Sequence, residues 1–419
     1  MEPVDIFDKL SADPLLGKVA ALRGFEAYPF CRECTPDLDL APAEVRSGGR
    51  TVVMFGSNDY LGLTRDRRVV EAAVQAVRSY GSGCSGSRLL NGTTKLHLRL
   101  EEDLARFLRK PAVMLLGTGF QANLVLGSLA GIRDVIVADE YCHASLEAGL
   151  RLAYARKARF RHNDPVSLAD ALGGCRPEEG KLVVAEGVYS MDGDLADLPA
   201  ILKLTAEQRA RIYLDDAHGL GIVGRDGRGT TEYFGLEAKV DIIAGTFSKS
   251  LASSGGFVAG PASVIEYLRH GAAPFTYSAA LPPAALAAAA AALDIVRTEP
   301  EHRQRLAVLT GHCRRLLREA GFAVADGVTP IVIVHPAEQK SRDLASLEVA
   351  RLASVLWDEG YCVNAVLGTA ASSPRWRINI MASHTEEQIE GLVRSFRDAA
   401  ERVGRQLQHM GGEDVRRNA

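Results

Sequence analysis

Six short runs of apolar, β-branched residues, each followed by small or polar residues and separated by helix-forming sequence, limit the folds open to this chain. They are AVMLLGT at 112–118, DVIVADE at 134–140, KLVVAEGV at 181–188, RIYLDDAH at 211–218, DIIAGTFSK at 241–249 and GFVAG at 256–260. A strand that is apolar at nearly every position has no polar face to turn to water, so it is buried on both sides. Helices between such strands cover those sides, which predicts an α/β domain built on a mostly parallel central sheet. In open sheets of this kind ligands sit beyond the carboxyl ends of the strands, so the residues after each run are the places to look for chemistry.

Around that domain the pattern changes. Residues 1–50 read as an N-terminal arm, with a short helix, a connector containing proline and cysteine, and a turn at Ser47-Gly48-Gly49. The large domain is expected over 51–296. After the break at Pro282-Pro283 come an alanine-rich helix and a charged helical stretch over 299–319. Strands at 331–335, 362–366 and 375–381, with helices around 343–359 and 385–403, then predict a smaller α+β domain over 297–405. Residues 406–419 read as a flexible tail.

Composition excludes several function classes. Across 419 residues, 49 lysines and arginines face 52 acidic residues, a net charge of −3, so no global field is present to hold a nucleic acid or an anionic membrane. Seven cysteines are too few and odd in number for a disulfide framework, which suits a reducing cytoplasm. Cys31 and Cys34 form a C-x-x-C with no second pair at zinc spacing, and no metal site is expected. The opening MEPVDIFDKL is acidic where an export signal is basic and then apolar. The stretch 279–296 is mostly alanine and holds two prolines, too weak for a membrane span, so membrane contact is peripheral at most.

Two glycine patterns invite a nucleotide or phosphate interpretation. Gly81-Ser-Gly83-Cys-Ser-Gly86 matches G-x-G-x-x-G, but the residues before it have helical periodicity, so the strand that a dinucleotide fingerprint requires is missing. Gly117-Thr118-Gly119-Phe120 does follow a strand and opens a helix. Backbone N–H groups there suit one phosphate, against the plainer alternative of a tight turn. Asp215 and His218 stand where another strand emerges; alone they fit a metal pair or a structural hydrogen bond equally well. Lys249 closes the next strand in GTFSKS, against the alternative of a solvated lysine, in a chain with only ten lysines among its 49 basic residues. A lysine in that setting must lose its charge, pair, or be covalently engaged, and arginine cannot form a Schiff base.

Phosphate cradle, lysine and carboxylate together describe a pyridoxal phosphate site. A carboxylate at Asp215 keeps the pyridine nitrogen protonated, which makes the ring an electron sink. His143, just past another strand, suits stacking on the ring face.

These segments resemble the α-oxoamine synthases, a family of fold type I pyridoxal phosphate enzymes. The resemblance covers about 55–389 and rests on GSNDYLGL (56–63), GSGCSGSRLLNGT (81–93), GTGFQAN (117–123), CHASL (142–146), EGVYSMDGD (186–194), LDDAHGLGIVG (214–224), GTFSKS (245–250), YSAALPP (277–283) and RINIMASHT (377–385). It implies that Lys249 carries the cofactor, that Asp215 pairs with the pyridine nitrogen, that His218 and Ser190 reach the ring hydroxyl, and that His143 stacks on the ring. It implies that Gly119, Phe120 and Thr246 hold the phosphate. Tyr277 and Ser278 match residues that the partner subunit contributes, implying a homodimer with shared active sites. Arg377, with Arg375 as second candidate, matches the arginine that grips the amino-acid carboxylate, and Asn58 lies in the same substrate set.

The implied reaction is condensation of a small amino acid with an acyl thioester on CoA or an acyl carrier protein, with loss of CO2. Ser87 stands where the glycine-using branch resembles G-G-T-R and the serine-using branch G-S-R; one methyl fewer leaves room for a hydroxymethyl group. With RFRHND (159–164), this resembles the bacterial serine palmitoyltransferase branch, so L-serine and a long-chain acyl-CoA are favoured. The alternatives are a secondary-metabolite, 8-amino-7-oxononanoate or 2-amino-3-ketobutyrate type using glycine or alanine. A catalytically silent partner subunit is disfavoured by the presence of Lys249, Asp215 and His143, and a nicotinamide dehydrogenase by the context of Gly81 to Gly86.

Overall fold

Seven strands form the central sheet, and six of them are buried almost without interruption. In chain order they are β1 (Ala112–Leu116), β2 (Asp134–Asp139), β3 (Arg156–Phe160), β4 (Gly180–Glu186), β5 (Arg211–Asp215), β6 (Ile242–Thr246) and β7 (Gly256–Gly260). The computed structural model describes residues 5–336, 341–367 and 373–417. The strand order is β1-β7-β6-β5-β4-β2-β3, and β7 runs antiparallel to both of its neighbours while the remaining pairs are parallel. Six of these strands fall on the predicted runs. The seventh, β3, has the sequence RKARF and is largely exposed, as the edge of a sheet tolerates and as charge at an edge discourages further pairing.

The chain divides into two compact units. One contains residues 58–308 and 327–330 and holds the seven-stranded sheet; the other contains 1–57, 309–326 and 331–419. These divisions differ from the expected 51 and 297, for a reason visible in the pairing. Strand Arg50–Met54 does not enter the central sheet. It forms a hairpin with Glu44–Ser47 and pairs in parallel with Tyr361–Cys362. The hairpin turns through Gly48 and Gly49, both with positive φ, which is the two-residue geometry that matches strand twist. The end of the expected arm thus joins the smaller unit: Val45, Val52 and Trp357 share one small core, while helices Ile6–Ser11 and Pro14–Gly24 bury no residue. The second division falls inside the helix Glu301–Glu319.

In the smaller unit, strands Ala323–Val324, Ile331–His335, Arg375–Asn379 and Asn364–Val366 lie side by side in that order. The single strand expected over 362–366 is two: Cys362 pairs with Met54, and Asn364 with Arg377. Helices Arg342–Asp358 and Glu386–Arg417 belong to this unit, and Phe396 packs edge-on against Trp376 and Phe322. The final helix runs on to Arg417 where a tail from 406 was expected. No proline follows to stop it, and glycines at 404, 411 and 412 only weaken a helix. No helix among the described residues is long and apolar enough to cross a membrane.

Candidate active site

Strands β1, β2, β4, β5 and β6 all end at one edge of the sheet, and β7 starts there. Their ends, with the turns that follow, enclose a cavity of about 330 Å³ lined by Gly119, Phe120, His143, Asp215, His218, Thr246 and Lys249. Seven of the residues expected from the sequence therefore converge from four separate segments. Asn123, Ser145 and Glu186, which the sequence reading did not single out, line it as well.

Asp215 is the last residue of β5 and is buried. Its Oδ2 accepts from Asn123 Nδ2 at 2.6 Å and its Oδ1 from the Ala217 N–H at 3.0 Å. Asn123 is itself oriented, because its Oδ1 accepts from the buried Tyr213 hydroxyl at 3.0 Å, which turns the amide NH2 towards the carboxylate. Ser145 Oγ accepts from the same NH2 at 2.8 Å. In the adjacent strand Glu186 stands in register with Asp215. Burial, then the charge of Asp215, pushes the Glu186 carboxyl well above the ordinary range, even though the His143 N–H donates to it at 2.5 Å. Burial beside a second carboxyl thus favours the protonated form of Glu186.

His143 caps the helix Ala144–Leu152. Its Nδ1 accepts from the Ser145 N–H at 3.1 Å and lies 2.7 Å from Ser145 Oγ, so the ring is oriented by its own turn. His218 is oriented from farther away in sequence: Tyr60 Oη sits 2.8 Å from its Nδ1 and 3.2 Å from Asn58 Oδ1. Asn58 is thereby linked to the cavity through Tyr60, a residue inside the GSNDYLGL motif that the sequence reading passed over. Asp215 and His218 each have a protein partner of their own, which places both in hydrogen-bonded networks. Lys249 is half-buried in the turn after β6, and the Ala252 N–H donates to its carbonyl at 3.0 Å.

Phosphate-sized anions are suited by the segment 118–120. Thr118 caps the helix Gly119–Leu124, with its hydroxyl accepting from the Gln121 N–H at 3.0 Å, and the backbone passes close to Thr246. A Cβ on Gly119 would lie 2.8 Å from Thr246 Cβ, so only glycine lets the two approach. Volume, oriented carboxylate, lysine and N–H cradle fit pyridoxal phosphate. By contrast, Gly81 to Gly86 follow the helix Arg67–Tyr80 and no strand, which leaves the dinucleotide pattern without its frame.

Other expected residues lie outside the cavity lining. Ser190 is buried in the loop after β4, where Val188 bridges to Leu195. Tyr277 is 88% exposed, and the neighbouring Ser278 Oγ accepts from Gln121 Nε2 at 3.3 Å. Ser87 pairs by backbone with Ala279, in the same group, and its Oγ is buried without a hydrogen-bond partner. Arg375 and Arg377 lie in the smaller unit on strand Arg375–Asn379; Arg375 donates to the Ser373 carbonyl and hydroxyl at 3.0 and 3.1 Å.

Comparison with known proteins bears on what this arrangement does. The family model for aminotransferase class I and II matches residues 50–396. A serine palmitoyltransferase of Bacteroides thetaiotaomicron is 43% identical over 377 residues, covering 88% of this chain and 93% of that one. An 8-amino-7-oxononanoate synthase of Methylococcus capsulatus is 40% identical over 400 residues, covering 94% of this chain and 98% of that one. Among solved structures, SPT with a PLP internal aldimine superposes with a TM-score of 0.90 at 33% identity, covering 96% of this chain and all of that one.

Proposed function

The chain belongs to the aminotransferase class I and II family and, within it, to the α-oxoamine synthases, and from that premise we propose how its residues divide the work. It is a pyridoxal phosphate-dependent acyltransferase. The reaction is a decarboxylative Claisen condensation in which an amino acid and an acyl thioester give an α-amino ketone, CO2 and a free thiol, with L-serine and a long-chain acyl-CoA favoured. The observation that carries this is the convergence of Lys249, Asp215, His143, Thr246 and Gly119 on one cavity.

Pyridoxal phosphate, when bound, supplies the electron sink that stabilises negative charge at the amino acid's α-carbon. Lys249 Nζ would hold the cofactor at rest and, once displaced by the amino acid, take the α-proton. Asp215, oriented by two donors, would hold the proton on the pyridine nitrogen. His143 would cover one face of the ring and exclude water. His218 and Ser190 would bind the ring hydroxyl, and the Gly119 and Phe120 N–H groups with Thr246 Oγ1 the phosphate. On its motif, Arg377 would hold the substrate carboxylate until CO2 leaves, and Asn58 would steady the same group.

Tyr277, Ser278 and Ser87 belong together and would serve the cavity of a partner subunit in a homodimer. Support comes from the exposure of Tyr277 and from the outward stripe Val70, Val74, Val77 and Tyr80 on one helix, an apolar face of the kind that a second subunit covers. A cytoplasmic setting is supported by the sparse, odd cysteine set.

The test is a comparison of kcat/KM for L-serine, glycine and L-alanine with palmitoyl-CoA, read by thiol release. Serine should lead. The 40%-identical 8-amino-7-oxononanoate synthase, which spans 94% of this chain, favours one second reading, glycine or alanine with another CoA or carrier-protein thioester. A preference for glycine or alanine would favour it, and no thiol release with any pair would overturn both.

A further inference from the structure

The HND triplet at 162–164 lies outside the cavity, yet His162 joins two of the loops that frame it. Its Nδ1 stands 3.1 and 3.3 Å from the two oxygens of Asp139, and its Nε2 stands 3.1 Å from Asp194 Oδ2. Carboxylates accept and do not donate, so both ring nitrogens must carry protons to satisfy both partners. The ring is gripped between Tyr141, stacked at 4.5 Å, and Tyr189, edge-on at 4.4 Å.

What the two carboxylates hold gives the clamp its reach. Asp139 ends β2 and accepts the Tyr141 N–H at 2.8 Å, which starts the turn that delivers His143. Asp194 closes the loop that carries Ser190: its carbonyl accepts the Tyr189 N–H at 3.0 Å, and the Gly193 N–H donates to Tyr189 O at 2.7 Å. Asn163 reinforces both sides. Its N–H donates to Asp139 Oδ2 at 3.1 Å, and its Nδ2 donates to Asp194 Oδ2 at 2.7 Å and to Leu195 O at 2.9 Å.

We propose that His162 is a positioning residue: an imidazolium pinned between Asp139 and Asp194 that sets where the Ser190 loop stands relative to the turn bearing His143. The inference rests on the reading of the cavity as a pyridoxal phosphate site. Burial opposes a charge on His162, but the bonds to Asp139 and Asp194 outweigh it and raise the ring to about 10. The other titratable groups facing it are Glu140, whose carboxylate accepts the His162 N–H, Tyr141 and Tyr189; Arg159 bonds the Asp139 carbonyl.

The experiment uses the full chain and two variants, His162→Gln and the milder Asp194→Asn, with Arg161→Ala as control. In cofactor-free protein labelled on histidine nitrogens, His162 should keep both protons past about pH 9, and Asp194→Asn should bring its titration down by about a unit or more. The ring signals of His143 should move in both variants and stay in place in the control. With pyridoxal phosphate added, both variants should show an altered balance of cofactor absorbance bands and a kcat lower by about tenfold or more, with KM for the amino acid changed far less. Titration of His162 near its ordinary value, or unmoved His143 signals in the variants, would overturn the proposal whether or not cofactor binds. Lower melting temperatures with wild-type spectrum and kcat would reduce the clamp to a structural one and also overturn it. Failure of the wild type to take up pyridoxal phosphate would instead count against the cavity reading.

Discussion

Asp215 is oriented by donors from Asn123 and the Ala217 N–H, and stands in register with the buried Glu186. Asp215→Asn should therefore keep the cofactor's place but lose carbanion chemistry, since a neutral amide does not hold a proton on the pyridine nitrogen. Exchange of the amino acid's α-proton should slow by about 10²-fold or more, and near-normal exchange would show that Asp215 is not that partner. Ser87→Thr should bias the preference from serine towards glycine, by roughly the 1–3 kcal/mol that one methyl discriminates, seen as a changed ratio of kcat/KM. For His162 the sign of the pH effect follows from a folded value of about 10 against 6.5 unfolded. Its contribution is complete below about pH 6.5 and is lost as pH rises through about 10, a change on the order of 5 kcal/mol. Unfolding free energies of wild type and His162→Gln should thus draw together across that window; a constant gap would mean that the ring is neutral. Lys249, Asp215 and His143 were legible because each follows a buried strand with a chemistry that such a place does not tolerate idly. Tyr60, Asn123 and Glu186 were not, because their meaning lies in contacts with residues 158, 92 and 43 positions away.

At the scale of elements, β7 is the strand that makes room for the proposed phosphate cradle. It runs against its neighbours and begins with Gly256, where a Cβ would lie 2.6 Å from Thr118 O and 2.7 Å from Gly119 N. Both are backbone atoms and have no rotamer to escape into. Gly256→Ala should displace the start of the helix at Gly119, destabilise the cofactor-free protein by about 1–3 kcal/mol and weaken pyridoxal phosphate affinity by about tenfold. Melting and cofactor titration measure the two effects, and unchanged values would show that the cradle tolerates the methyl group. The same sheet shows what periodicity conveys. Its inner strands are largely apolar and announce themselves, whereas β3 is mostly charged at the edge and looks like loop. The stretch 362–366 reads as one strand because each of its residues suits a strand; Val363 marks a change of sheet that only pairing with Met54, far upstream, and with Arg377, downstream, decides.

At the scale of the whole molecule, the large unit was readable from its strands, but the N-terminal hairpin was not, because its partner strand Tyr361–Cys362 is remote in sequence. The proposed dimer makes a prediction that no single chain satisfies. If Tyr277 and Ser278 serve the partner's cavity, Lys249→Ala and Tyr277→Ala subunits, each inactive alone, should recover activity when co-expressed. A statistical mixture should show about a quarter of the wild-type rate, since half the dimers then hold one site with neither defect. No recovery would place Tyr277 in its own subunit's site. The central claim is that Lys249 carries pyridoxal phosphate. Intact protein incubated with the cofactor and reduced with borohydride should gain one cofactor mass per chain, and peptide mapping should find it on Lys249. Modification at any other of the ten lysines, or no gain in mass, would contradict it.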